Sequence, residues 1–373
     1  MESFEKARLD AFFRRVTERF PDPEPVSSVI ITHLLAERPA FLHAMARLTR
    51  VAAVLPKPRS IFESAAAEAR KHFTLDPLSR TRFADPATAL NYLEETAAGQ
   101  DLLLLDIGGY FAASLEVACA QFSGRIRGVV EDTENGLQRY LALEKLPCPV
   151  YSVARSPLKE PEDHLVGHSI VFSTEALIRS RGDILGSLDA CVIGYGKLGG
   201  SIARMLHAKN VRVTVYDDDP VKRVQARSHG FHVPVTRAEA IRGCGLIVCA
   251  TGNLALRHED FTALPNGAYI ASVTSSEDEL ELTALTPLYR RAEVGPHVTR
   301  YSTTGHYFYV LADGNAVNFL HGATVGPYIH LVQAEILAVT ALLTSDDHAP
   351  GLHELTIDAR QVIAEIWLDY FKR

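Results

Sequence analysis

Residues 188–217 read LDACVIGYGKLGGSIARMLHAKNVRVTVYD: a short apolar strand, a glycine-rich turn, an amphipathic helix and a second apolar strand ending in acids. Few arrangements other than a parallel βαβ unit accommodate that order. Gly194, Gly196 and Gly199 are spaced G-x-G-x-x-G. The first permits a tight turn, the second lets the backbone approach a pyrophosphate, and the third lets helix and strand pack closely. The helix N-terminus then faces the negative charge. Asp217, taken as the last residue of the second strand, lies about 20 residues on, where a carboxylate bonds both ribose hydroxyls and repels a 2′-phosphate. The pattern therefore predicts NAD, not NADP. Lys197 and Leu198 inside the turn, and Thr251, Gly252 and Asn253 ending GLIVCATGN, complete the expected cofactor contacts.

The first half of the chain alternates in a similar way. Phe4, Leu9, Phe12, Phe13, Val16 and Phe20 fall at helical spacing, and the helix they predict ends before Pro21, Pro23 and Pro25. Next come a strand (SSVIITHLL), a helix through 40–48, a strand (VAAVLP) and a helix (ESAAAEARKHF). DLLLLDIGGYF is an apolar strand broken by Gly108-Gly109, and RIRGVVEDTENG is a strand ending in a polar loop. A last long helix is expected near 328–343. With 373 residues, the chain suits two α/β domains. The expected partition is a Rossmann domain over 164–323 and a second parallel-sheet domain from 1–163 and 324–373. Late re-entry into the first domain predicts a cleft between them, where small-molecule sites tend to lie.

Composition excludes several classes. Hydrophobic residues make up 47% and charged residues 22%, which argues against disorder. A net charge of −7 gives no basic footprint for nucleic acid. No apolar run is expected to reach the roughly 18–20 residues of a membrane span, and the N-terminus lacks a secretory apolar segment. Five cysteines without a CxxC pair predict a reducing, cytoplasmic setting.

GVVEDTENG (128–136), with LDIGG, LKEPEDHLVG, VIGYGKLGG and AVNFLHG, resembles the S-adenosylhomocysteine hydrolase family, in the family's order from about residue 28 to 345. The resemblance implies an NAD enzyme that oxidises the 3′-hydroxyl of an adenine nucleoside, removes the C4′ proton and eliminates the 5′ substituent. Water is then added and the ketone reduced. It implies proton transfer at O3′ or C4′ by Lys159, with Asp163 orienting that lysine and binding the sugar. Thr133 is expected near the sugar 2′- and 3′-oxygens and the nicotinamide, with Glu134 and Asn135 in the cofactor set. Asp132 stands where the family has Glu, one methylene shorter, leaving space beside C2′ and C1′. His33 would face the 5′-oxygen as a general acid, and Glu37 would accept the adenine amino group. His321 matches a second adenine-contacting residue, and Asn318 one that holds the nicotinamide amide. His168, or Ser173 under a shifted alignment, stands where the family lines that pocket with Cys, and His164 or His168 is a candidate proton-transfer group in place of those the family has and this chain lacks.

The departures cluster. The family's catalytic Asp is Ile107 here, and Asp106 is one position early, on the opposite strand face. A family His falls at Ser275, a Thr at Leu35 and an Asn at His164. The family's long tail has no aligned counterpart, leaving Tyr370 and Lys372 unassigned. His164 and His168 form H-x-x-x-H, but Gly167 is expected to end any helix there, and no metal is expected. The residues kept serve oxidation and C4′ deprotonation, and those lost serve the incoming water and the 5′ group. The resulting expectation is a lyase that expels the 5′-hydroxyl as water and re-reduces C3′. Such a 4′,5′-dehydration is the kind needed for angustmycin A-like nucleosides, with psicofuranosyladenine as a candidate substrate and Ile107 and Leu35 excluding water. The alternatives are S-adenosylhomocysteine hydrolysis, 3′-epimerisation or net oxidation of a nucleoside, and an inactive NAD-binding regulator. A homodimer or homotetramer is expected, with an adenine nucleoside as the partner and neither nucleic acid nor membrane.

Overall fold

Alternating apolar strands and helices build two mainly parallel sheets in this computed structural model, which describes residues 2–274 and 279–372. Each sheet belongs to its own unit: Met1–Lys159 with Pro327–Arg373, and Glu160–Gly326. The sequence placed these breaks at 163/164 and 323/324. The first falls instead just before a helix, Glu160–Ser180.

The first unit contains β1 (Ser27–Leu34), β2 (Arg50–Ile61), β3 (Asp101–Asp106), β4 (Arg125–Glu131), β5 (Pro149–Ser152) and a short strand Gly351–His353. All pair in parallel, in the order Gly351–His353, β5, β4, β3, β1, β2. Strand order reverses between β1 and β3, and ligands of such sheets bind at that point, outside the strands' carboxyl ends. Both faces are covered, which is why β3 reads as an unbroken run of leucines. Leu103 and Leu105 pack with Phe12, Phe41 and Leu337 on one side, and Leu102 and Leu104 with Phe83 and Leu115 on the other. Each such burial contributes roughly 2 kcal/mol.

Several expectations need correcting here. Gly326–Ser345 does have the length and apolarity of a membrane span, but 78% of its most apolar stretch is buried. Helix Ile329–Ser345 is apolar all round because it is a core helix. The segment after β4 is no loop: Thr133 caps a helix, Glu134–Leu141. β2 continues past Pro56 to Ile61, which an edge strand tolerates. Its register against β1 steps from Thr32↔Pro56 to Leu34↔Ile61, so Lys57–Ser60 bulge opposite the single residue His33.

The second unit contains β6 (Ala190–Ile193), β7 (Val213–Tyr216), β8 (Leu246–Cys249), β9 (Ala268–Ser272), β10 (Arg290–Gly295), β11 (Val298–Thr303) and β12 (His306–Leu311). Their order is β10-β11-β12-β9-β8-β6-β7. β7, β6, β8, β9 and β12 run parallel, and β10, β11 and β12 form an antiparallel meander absent from the sequence expectation. Gly167 does not end a helix. It sits inside Glu160–Ser180, where a Cβ would come within 2.3 Å of Ser201 Oγ, so it is a close-packing glycine.

Candidate active site

The second unit's switch point lies between β6 and β8, and the glycine turn fills it. Gly194 has φ +94°, and a Cβ there would lie 2.5 Å from the Ala250 carbonyl oxygen. A Cβ on Gly199 would meet Gly194 O at 1.9 Å, whereas one on Gly196 would meet nothing within 4 Å. Gly196 therefore faces open space at the start of helix Lys197–Ala208, whose first N–H groups have no side-chain cap. That cradle suits a pyrophosphate.

Asp217 follows β7, which ends one residue sooner than expected, at Tyr216. Its carboxylate accepts the Tyr195 N–H at 2.6 Å and the Asp219 N–H at 2.8 Å, fixing it beside the turn. Thr251, Gly252 and Asn253 form the loop after β8. Glu279, a buried residue that sequence reasoning missed, accepts the Gly252 N–H at 2.6 Å and the Thr251 hydroxyl at 3.3 Å. Burial pushes its carboxyl up to about 7. Asn318 Oδ1 is buried without a hydrogen-bond partner, as an acceptor for a carboxamide would be.

The other expected residues of this unit are also in reach of named partners. His321 Nδ1 and Ser173 Oγ share a 3.0 Å hydrogen bond, so the two alternatives for the pocket wall are neighbours. Lys197 Nζ lies 3.5 Å from Asp163 Oδ2, and Leu198 packs at the margin of the core. His164 and His168 have ring centroids 4.4 Å apart, and burial followed by His164 lowers the pKa of His168. Among the described residues no cluster of three metal-ligating side chains forms.

In the first unit, the loops at the strands' carboxyl ends gather most of the expected side chains. Lys159 Nζ donates to Asp132 Oδ1 at 2.8 Å, with both side chains nearly buried. Glu131, also missed from sequence, organises this edge. It accepts the Gly108 and Gly109 N–H groups at 3.0 Å and the Thr133 N–H and hydroxyl at 2.7 Å. Burial and Asp106 raise its carboxyl to about 8, against the pull of those donors. The Thr133 hydroxyl proton is thus committed to Glu131, while its oxygen caps Gly136 N–H at 3.1 Å. Glu134 forms an exposed two-bond contact with Arg155, and Asn135 shares its helical turn.

Glu37 Oε1 is buried with no hydrogen-bond partner, its cation Arg38 standing 3.6 Å away. An amino group is the donor it lacks. His33 Nδ1 is hydrogen-bonded to Ser60 Oγ in the bulge. Burial, then Lys57, Arg38 and Lys159, hold its pKa well below the ordinary histidine value, so the imidazole is neutral at pH 7. Ile107 sinks into the core with Phe83, Tyr110 and Phe111, and Leu35 is half-buried. Asp106 turns the other way, accepting Phe111 N–H at 3.0 Å and the Tyr140 hydroxyl at 2.7 Å. Tyr370 packs against Phe12, their centroids 5.8 Å apart, inside its own unit. Ser275 lies outside the described residues.

Residues 166–325 match the family model described as S-adenosyl-L-homocysteine hydrolase, NAD binding domain. The chain carries an NAD-binding domain similar to that of the adenosylhomocysteinases, and its cofactor is NAD. It is 30% identical to an adenosylhomocysteinase of Thermotoga maritima over 59% of this chain and 55% of that protein, so the match spans about half the relative's length. An adenosylhomocysteinase of Aquifex aeolicus is 25% identical over 85% of this chain and 78% of its own. Among solved structures, a phosphoglycerate oxidoreductase from Vibrio cholerae is similar at 11% identity and a TM-score of 0.38, covering 71% of this chain and 81% of its own.

Proposed function

We propose that this chain is an NAD-dependent lyase that removes water across C4′ and C5′ of an adenine nucleoside. Gly194–Gly199, Asp217, the Thr251–Asn253 loop and Asn318 would hold NAD, which would supply reversible hydride storage for oxidation at C3′. The 3′-carbonyl acidifies the C4′ proton by delocalising the carbanion. Lys159 moves the proton at O3′ or C4′, and Asp132, 2.8 Å away, fixes that amine in place. Glu37 accepts the adenine amino group with its unpartnered oxygen.

The observation that carries the lyase reading is Ile107. Lys159 and Asp163 match the resembled family's Lys and Asp, while the strand end that bears its catalytic Asp carries an aliphatic side chain sunk in the core. An enzyme so built keeps oxidation and deprotonation and loses the group that would handle added water. Incubation with adenosine or psicofuranosyladenine is expected to give a product about 18 mass units lighter. An unchanged nucleoside rejects the reading. The names of the two relatives favour a second one, hydrolysis of S-adenosylhomocysteine, which release of homocysteine thiol would establish instead.

A further inference from the structure

Elimination of a hydroxide needs a proton donor at the departing oxygen, and the first unit's sheet edge lacks one among the residues already assigned. His33 is neutral, Asp106 faces away and Ile107 is aliphatic. The β2 bulge, however, delivers a second lysine to the same edge. Four residues, Lys57–Ser60, stand opposite His33, and such bulges re-aim side chains next to active sites. Lys57 is 8% exposed, and its Nζ donates to the Ile107 carbonyl oxygen at 3.3 Å. That is its one hydrogen-bond acceptor among the described residues, which leaves two N–H groups of a buried ammonium uncommitted within the protein.

The surroundings of Lys57 tie it to the assigned site. Ser60 Oγ donates to the Lys57 carbonyl oxygen at 3.3 Å and accepts from His33 Nδ1, so bulge and histidine are one hydrogen-bonded piece. Lys57 lies within electrostatic range of His33 on one side and Asp132, the partner of Lys159, on the other. Arg80, Asp106 and Glu131 complete the charged groups that face it. Arg80 is held by the Gly108 carbonyl oxygen at 3.1 Å and by the Tyr110 ring, its guanidinium carbon 3.9 Å from the centroid. Two lysines therefore stand at one sheet edge, one paired with a carboxylate and the other resting on a carbonyl.

We propose that Lys57 is the general acid that protonates the departing 5′-oxygen, in the elimination assigned above to this site. This rests on the lyase reading. In the step, the Lys159 amine takes the proton from C4′, and the C4′–H electron pair becomes the C4′=C5′ π bond. The C5′–O bond breaks with its pair on oxygen, and the Lys57 ammonium gives that oxygen a proton, releasing water. Lys159 ends protonated and Lys57 neutral, and exchange with solvent resets both. Burial, followed by Arg80, lowers the Lys57 pKa to about 8, which suits an acid that must release its proton near neutrality.

The test compares adenosine with 5′-chloro-5′-deoxyadenosine, whose leaving chloride needs no proton. In Lys57→Met, water elimination is expected to fall at least about 100-fold, with chloride release within about threefold of wild type. Equal losses on both substrates, or no loss on either, overturn the proposal. Should the variant not fold, the wild-type pH profiles decide. Water elimination is expected to decline above about pH 8 while chloride release does not, and superimposable profiles overturn the assignment. If wild-type protein releases neither water nor chloride and forms no NADH, the lyase reading itself has failed.

Discussion

The two units carry similar doubly wound sheets but equip their ligand edges differently. At the β6/β8 edge the groups are mainly backbone, an open glycine and uncapped N–H groups, with two side-chain acids, Asp217 and Glu279, clamped onto loop amides. At the β1/β3 edge they are side chains, with two lysines, a histidine and three acids crowded behind two glycine amides. A dinucleotide recurs unchanged every turnover and can be held by fixed dipoles. Proton transfer needs groups that gain and lose charge, and these must be buried to have useful pKa values.

The largest effect should come from crowding the backbone edge. Gly199→Val would drive a side chain into Gly194 O and cost about 3 kcal/mol or more of second-unit stability, measured by denaturant melts, with NAD binding lost. Gly196→Val, facing open space, should leave the melt unchanged and abolish NAD binding alone. If both variants unfold, the contrast between a packing glycine and a cofactor glycine is wrong.

At the side-chain edge, Lys159→Met should slow NADH formation on adding adenosine by about 10²–10⁴-fold, with NAD affinity within about twofold. Asp217→Ser should weaken NAD binding about tenfold and narrow its advantage over NADP, both read by titration. Thr133→Val removes a helix cap and a Glu131 donor, and should lower first-unit stability by about 1–2 kcal/mol in thermal melts.

The smallest effect is a pH dependence. Glu279 has its folded-state pKa raised from 4.5 to about 7, so the folded protein binds more protons than the unfolded chain between those values. Its contribution to stability falls as pH rises through that window and is level above it. Glu279→Gln should flatten the second-unit melting temperature between pH 5 and 7, and an unchanged slope would assign the dependence elsewhere.

The backbone-built edge was the more legible from sequence, because glycine spacing encodes backbone geometry directly. Gly194, Gly199 and Asp217 could be placed before any coordinates. The side-chain edge was less so, since its groups come from five strands and their meeting is tertiary. Lys57 escaped notice although PKP breaks the apolar run VAAVL, and prolines in a strand mark an edge or a bulge. Glu131 escaped because its neighbours Asp132 and Thr133 drew the family comparison. The β10–β12 meander escaped for a different reason. Its turns, GPH and TTGH, are hairpin signals, but the expectation of a purely parallel sheet left no place for them.

Because the second unit is inserted between Lys159 and Pro327, the first cannot close its core until Leu331–Leu343 leave the ribosome. During synthesis β1–β5 emerge without the apolar helix that covers one of their faces, while the whole cofactor-binding unit is made and able to fold. Bare sheet in a nascent chain invites aggregation, so the yield of soluble protein should depend on how fast residues 160–326 fold and how promptly the C-terminal segment follows.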